Sequence, residues 1–377
     1  MTAPVRPALA RAVLLLVSLA FATPAFAQGR ITVLNRERKP SVQSGVVILS
    51  ETLSSVKIRR GESERSYDTV DVVEVTYGPG SAAYEAGLKA LAANDLSNAE
   101  SLFAQAAKDA TPPWVAAQAL LRQAEASSRR GTARLPQARE ALDEFLRRFP
   151  EHRLLPRALL DKARCAQASG DAVAADGAAS QVVQLAKDGK VTPDWTVRAH
   201  LALADLRLES GDAKAAGTAY AAAAQAADAA AAAFAQRPDL QPVVAELALA
   251  ARTGTASCML AAGDVGGARS YYTQLASEGR GNAALEAAAA NGLAECDFGD
   301  KARLKDAQLG FAKVAVTAFA VPGERARALY FLGRCAEELG RQDAEPNGRQ
   351  KATSYYQEVI DRYPGSRWAR LAQEAKP

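Results

Sequence analysis

Histidine, cysteine and aromatic side chains are scarce in this chain, and each scarcity removes a class of function. Two histidines and four cysteines are spread over 377 residues. That is too thin for a zinc module or a disulfide-stapled mini-protein. Aromatic residues make up 6% of the chain, leaving little for platforms that stack on sugar rings. Charge of one sign is also lacking: 46 basic side chains face 42 acidic ones, for a formal net of +4. Bulk phosphate neutralisation therefore gives no reason to expect nucleic acid as a partner. Beyond the N-terminal segment no uninterrupted apolar run is as long as the ~20 residues of a membrane-crossing helix. What the chain does have is hydrophobic side chains, 49% of the total, many of them alanine, the best helix former. This is the composition of a globular, helix-rich protein.

The N-terminus carries Arg6 and Arg11, an apolar run from Ala12 to Ala22, Pro24, and then Ala25-Phe26-Ala27 before Gln28. A charged start, a short apolar stretch and a small-x-small triplet predict a secretory signal peptide over residues 1–27. The mature chain is expected to begin at Gln28 in the periplasm or an equivalent exported space. Arg6 and Arg11 are not adjacent, so the twin-arginine route is not indicated. No cysteine follows the expected cut, so no lipid anchor is expected.

Residues 28–79 read as a small β module. Ile31 to Leu34, Val46 to Leu49, Val56 to Ile58 and Val70 to Val75 are short runs rich in β-branched residues. Lys39-Pro40, Ser44-Gly45, Ser54-Ser55 and Arg60-Gly61-Glu62-Ser63 between them are turn residues. Four or five strands in this length predict either a meander or a small SH3-like barrel, marginal alone and packed against the next part of the chain. Gly78-Pro79-Gly80 closes the module.

From residue 82 to 377 the pattern is helical and repeats. Asn94-Asp95, Gly170-Asp171, Gly211-Asp212, Gly263-Asp264 and Gly299-Asp300 each follow an apolar helical stretch. A glycine or asparagine ends one helix there and the aspartate caps the next. After the first four, core-type residues recur at i, i+4 and i+7: Ala99, Phe103, Ala106; Ala175, Ala179, Val182; Ala216, Tyr220, Ala223; and Ala268, Tyr272, Leu275. Ala138, Leu142, Phe145, then Ala307, Phe311, Val314, and finally Ala352, Tyr356, Val359 keep the same triplet. Each marks one face of the second helix in a hairpin. The copies lie roughly 40 residues apart, which predicts about seven stacked hairpins. The longest step, between Ala216 and Ala268, holds the alanine-rich stretch from Ala213 to Phe234 and the break Arg237-Pro238, read as an overlong second helix.

These residues resemble the tetratricopeptide repeat family. Gly87, Ala99, Phe103 and Ala106 match the small residue of its first helix and the Ala-x3-Phe of its second, and the last copy keeps Leu332-Gly333, Ala352, Tyr356 and Pro364. Ala141 to Arg153 and Tyr355 to Arg367 also resemble helix ends of exported bacterial envelope repeat proteins, among them the Tol–Pal coordinator and outer-membrane assembly types. The resemblance implies a mainly α, tetratricopeptide-like solenoid after the β module. Its first helices would line a concave groove that holds a segment of a protein partner. On the final first helix, Leu329, Leu332, Gly333 and Ala336 form a packing stripe, and Tyr330, Arg334 and Glu337 a second stripe about 100° around the axis. In the family that second stripe faces the groove. The equivalent positions are Tyr84, Leu88 and Leu91, then Leu160, Arg164 and Gln167, then Leu201, Asp205 and Leu208. Tyr84, Leu88, Arg164, Gln167, Asp205, Tyr330, Arg334 and Glu337 are the expected partner-binding residues.

Reaction chemistry finds no foothold. Gly78, Gly80 and Ala83 spell G-x-G-x-x-A, but a helix follows where a dinucleotide site needs a second strand. Gly263 to Gly267 lacks the Lys-Ser/Thr of a phosphate cradle. His152 and His200 belong to different repeats with no second ligand beside them. Cys165, Cys258 and Cys335 each stand five residues before a glycine taken to mark a repeat turn, Gly170, Gly263 or Gly340, so they read as one small packing position. Trp114, Trp195 and Trp368 fall in first turns of first helices, where they pack hairpin junctions, although Trp368 could also anchor a partner. The expectation is therefore no enzyme, cofactor or metal, but an exported scaffold binding an envelope protein or peptide segment, with no nucleic acid and no membrane span. The alternative is a cell-wall or polysaccharide binder acting through the β module, whose aromatics are Tyr67 and Tyr77. The sequence leaves the partner's identity and the oligomeric state open.

Overall fold

A computed structural model describes residues 29–109, 112–342, 346–364 and 366–375. The expected signal peptide lies outside the described residues. Five antiparallel strands come first: β1 (Gly29–Leu34), β2 (Pro40–Glu51), β3 (Ser55–Arg60), β4 (Ser63–Asp68) and β5 (Val72–Thr76). Their order is β4-β3-β2-β1-β5. The lower half of β2 pairs with β1 and its upper half with β3, so this one long strand turns between two ladders. A 3-10 turn at Thr69–Asp71 carries the chain from β4 to β5. β1 to β4 pair in chain order and β5 returns to the other edge of β1, so the module is a small antiparallel sheet that is not a plain meander. Its core is Ile31, Val33, Val46, Ile48, Val56 and Ile58, none more than 3% exposed.

Two strand details differ from the sequence reading. Ser44-Gly45 is no turn; it lies inside β2, where Gly45 takes φ +76° and the register slips between Gly29 and Arg30. An extra residue on one strand, with glycine free to enter the left-handed region, makes a bulge that bends the strand. β4, with sequence SERSYD, has no apolar alternation to announce it, because it is an edge strand whose first four residues face water.

The helices pair as seven successive antiparallel hairpins among the described residues: α1 (Ala82–Ala92) with α2 (Leu96–Ala106), α3 (Val115–Arg129) with α4 (Leu135–Arg148), α5 (Leu155–Ala168) with α6 (Ala172–Lys187), and α7 (Pro193–Glu209) with α8 (Ala213–Ala233). Then come α9 (Gln241–Ala261) with α10 (Val265–Glu278), α11 (Ala283–Phe298) with α12 (Leu304–Thr317), and α13 (Pro322–Arg341) with α14 (Gly348–Arg362). A further helix, α15 (Arg367–Ala375), ends the chain's described part. This is a tetratricopeptide-like solenoid. Every residue of the seven triplets is at most 2% exposed, so each second helix presents that face to its neighbours.

The turns follow the expected logic. Asn94, Gly170, Gly211 and Gly263 all have positive φ, and the carboxylates of Asp95, Asp171, Asp212 and Asp264 each accept the backbone N–H three residues on. Such a cap is worth about 1 kcal/mol. Asp300 caps a 3-10 turn before α12 instead. Gly340 is not a turn glycine: it lies within α13, where an added Cβ would come 3.1 Å from the Cα of Gly348 on α14. Its role is close helix approach. The step from α8 to α9 holds two long helices, of 21 residues each. By length and composition α9 could cross a membrane, but it carries Glu246 and Arg252 and buries Val244, Ala251, Gly254, Ala256 and Cys258 within the solenoid.

Candidate functional site

The first helices of the hairpins supply the expected groove stripe, and the structure sorts its members. The leading residue of each stripe is packing: Tyr84, Leu160, Leu201 and Tyr330 are all at most 9% exposed. A position at the margin of one first helix is covered by the next first helix in the stack, so an apolar residue there is buried. The later positions carry Arg164, Gln167, Asp205, Arg334 and Glu337 beside the half-buried Leu88, Leu91 and Leu208.

Between α5 and α7, Gln167 Nε2 donates to Glu209 Oε2 at 2.6 Å and to the Leu206 carbonyl at 3.3 Å. Asp205 accepts the hydroxyl of Tyr220 yet keeps 45% of its side-chain surface open to water. Burial raises the Tyr220 hydroxyl's pKa, and the neighbouring Asp205 charge adds to it, so that hydroxyl stays a donor. Near the C-terminal end, Arg334 donates to the Tyr330 hydroxyl at 3.2 Å and lies 3.9 Å from Glu337. Tyr356 donates its hydroxyl to Glu337 at 3.0 Å. Burial, then the Glu337 charge, raise the Tyr356 pKa too.

α15 joins these two groups. Arg370 reaches Glu209 at 2.6 Å, and Arg367 lies 3.5 Å from Asp205 and 3.7 Å from Glu209. Trp368 rests against Tyr330 and Phe331 with ring centroids 5.5 and 5.8 Å apart. The guanidinium of Arg327, itself bound to Glu295 at 2.5 Å, stands 5.9 Å from the Trp368 ring centre. Gln167, Asp205, Tyr330, Arg334 and Glu337 thus belong to one connected set of contacts. Arg164 stands apart, exposed and paired with Asp161 on its own helix. Tyr84 and Leu88 also stand apart: they line a shallow recess with Tyr77, Gly78, Pro79, Glu85 and Trp114 where β module meets solenoid.

That junction holds a buried polar network. Glu51 accepts the Tyr77 hydroxyl at 2.8 and 2.9 Å and is paired with Arg153. Gln118 Nε2 donates to Tyr77 at 2.9 Å, and Tyr77 stacks on Trp114 with centroids 4.4 Å apart. His152 Nδ1 accepts the Leu154 N–H, and burial lowers its pKa against the pull of Glu51. Tyr67 hydrogen-bonds Gln43. Both tyrosines of the module are thus half-buried, with their hydroxyls hydrogen-bonded within the protein. Sequence reading missed Glu51, Arg153, Glu209 and the α15 arginines. The one signal for the last was Trp368 flanked by Arg367 and Arg370.

The groups that could carry reactions are placed as packing. Burial pushes the Cys165 and Cys258 thiols up to about 11, so both stay protonated and poorly nucleophilic at neutral pH. Among the described residues no three His, Cys, Asp or Glu side chains cluster as a metal site. Gly80 is a junction turn whose N–H donates to Glu85 at 2.6 Å, and α1 leads to α2 rather than to a second strand.

No protein-family profile and no curated protein matches the chain. Among solved structures it is similar to a tetratricopeptide repeat protein from Parabacteroides merdae, at 14% identity and TM-score 0.44 over 78% of this chain and 96% of that one. The apo form of RapI gives 11% and 0.42, over 78% and 97%. PilF of Pseudomonas aeruginosa gives 17% and 0.35, over 70% and 98%. With all three scores below 0.5, none of these likenesses bears on function.

Proposed function

We propose that the protein is an exported, non-enzymatic scaffold that holds a segment of another cell-envelope protein in the concave groove of its solenoid. One observation carries this reading: the first-helix faces of α5, α7 and α13 converge on a single polar surface that already accommodates a helix. Side chains there offer carboxylates, an amide and a guanidinium at hydrogen-bonding height, the equipment of recognition rather than of bond breaking. Export rests on the signal pattern of residues 1–27, and the envelope assignment follows from export.

A photo-crosslinking residue at Gln167 or Glu337 should trap one defined envelope polypeptide. The same residue at Thr353, on the outer side of α14, should not. Equal trapping at all three positions overturns the groove reading. N-terminal sequencing of protein from the native envelope should give Gln28; Met1 or Thr2 overturns export.

A further inference from the structure

The C-terminal helix makes contacts that a simple end cap does not need. A cap must cover the last hairpin, and α15 does so through Ala369 and Ala372, both fully buried. Arg367 and Arg370 do something else: they reach α7, three hairpins earlier, and pair with Asp205 and Glu209. Trp368, between them in sequence, is seated on the groove side of α13 against Tyr330 and Phe331. α15 thus crosses the groove.

The fit at its acidic end is incomplete. Arg367 approaches its carboxylates only to 3.5 and 3.7 Å, and its Nε is shielded from water without a hydrogen-bond partner. A well-made arginine site forms short paired bonds; a guanidinium held this loosely is replaceable. α15 also hangs from α14 by a short turn through Tyr363, Pro364 and Ser366. That turn is held by the Ser366 N–H to the Tyr363 carbonyl at 2.9 Å. A tether of this length keeps the helix at an effective concentration of ~mM over the groove, which holds it in place while leaving a tighter ligand able to displace it.

We propose that α15 is an internal ligand of the groove, and that the partner segment is a helix of the same chemistry. Such a helix carries two arginines one turn apart with a large aromatic beside the first. It competes with α15 for Asp205, Glu209 and the Tyr330–Phe331 surface. Charge complementarity sets the choice: the groove floor between α5 and α7 offers two carboxylates, and the helix now lying there answers with two guanidinium groups. The proposal rests on the groove reading above and adds the partner's chemistry and its competitor.

Hydrogen exchange on the whole chain tests the contact. α15 amides should be protected in the wild type and exchange at least about tenfold faster in Glu209→Arg and in Arg367→Glu with Arg370→Glu. Adding both Asp205→Arg and Glu209→Arg to the two arginine substitutions reverses the charges on both sides of the contact and should restore protection. Glu209→Gln gives a milder version should Glu209→Arg fail to fold. Unchanged α15 protection in the folded Glu209 variant, or no rescue by charge reversal, overturns the internal ligand.

A labelled peptide of residues 366–375 tests the chemistry. It should bind the chain bearing Arg367→Glu with Arg370→Glu at least tenfold more tightly than the wild type, and a peptide with both arginines changed to glutamate should lose that binding. Equal binding to both proteins, or none to the opened one, overturns the partner's chemistry. Either failure leaves crosslinking at Gln167 and Glu337 unaffected, whereas loss of selective crosslinking with α15 still clasped would sink the scaffold reading alone.

Discussion

Changing Gly87 to alanine tests how a hairpin of this solenoid closes. A Cβ at Gly87 would lie 2.7 Å from Phe103 Cε1 and 2.9 Å from Cδ1. Ordinary carbon contacts need ~3.5 Å, so the ring must retreat by about 0.8 Å. It has nowhere to go: Phe103 is fully buried, and its far side meets Tyr84 with centroids 5.7 Å apart. Overpacking of this kind costs about 1–3 kcal/mol. Alanine's better helix propensity returns about 1 kcal/mol, so the net expected loss is about 0–2 kcal/mol.

Gly177, on the exposed side of α6, has nothing within 4 Å of an added Cβ. There the same substitution collects only the propensity and should stabilise by about 0.8 kcal/mol. Because a solenoid's stability is a sum over repeats and their interfaces, urea midpoints should be paired with hydrogen exchange of α1 and α2 amides. Phe103→Leu in the Gly87→Ala background should relieve the clash, giving a coupling of about 1 kcal/mol or more. If Gly87→Ala stabilises as Gly177→Ala does, the ring-on-glycine account of hairpin closure is wrong.

Four further outcomes are expected. Alkylation under denaturing, non-reducing conditions should add four groups, because Cys165, Cys258, Cys296 and Cys335 are buried and no disulfide joins them; two or fewer adducts would refute this. His152 and His200 both have pKa values lowered by burial, so the unfolded chain takes up protons first as pH falls through ~6.5. Stability should be full above that pH and decline toward pH 5, a slope that His152→Gln with His200→Gln flattens; a slope left intact would move the effect to other groups. Glu51→Ala removes the partner of Arg153 and the acceptor of Tyr77, and should cost about 3 kcal/mol and loosen the β module to limited proteolysis; a module as resistant as before would show the network to be incidental. Arg164→Glu should shift stability by less than ~0.5 kcal/mol, whereas Arg334→Glu should cost more because Arg334 stands 5.7 Å over the Phe298 ring. Urea midpoints read both shifts, and an Arg334→Glu loss no larger than that of Arg164→Glu would show the ring contact to be incidental.

The sequence made the hairpins legible because their signals are local. A cap aspartate acts on an amide three residues away, and a triplet such as Ala268, Tyr272 and Leu275 declares its face through spacing alone. Gly87 and Gly333 stood out as the small residue of a first helix, and each lies under one aromatic of its own second helix, Phe103 or Tyr356. Gly45 and Gly340 were misread because a glycine's neighbours say only that the chain can turn there. Whether it bulges in a strand or admits a second helix depends on residues far along the chain. The groove stripe was half legible: helix geometry placed Tyr330, Arg334 and Glu337 together, but the burial of Tyr330 depends on Trp368, which arrives from another helix.

In a solenoid each repeat ordinarily touches only the next, so contacts between distant repeats carry information that periodicity cannot. Three of them bear on the middle repeats. The Leu53 N–H donates to the Glu151 carbonyl at 2.6 Å, tying the β module to the turn before α5. Arg237, 4% exposed, donates to the Val70 carbonyl and is paired with Asp239 at 2.8 Å, tying the same module to the connection between α8 and α9. Arg370 ties α15 to α7. Repeats α5 to α8 are therefore held from both ends of the chain, and the spacing of their groove residues is set by these ties as well as by stacking. A partner that needs a wider groove must break a contact worth measuring, and the Arg370–Glu209 pair is the one of the three most open to water.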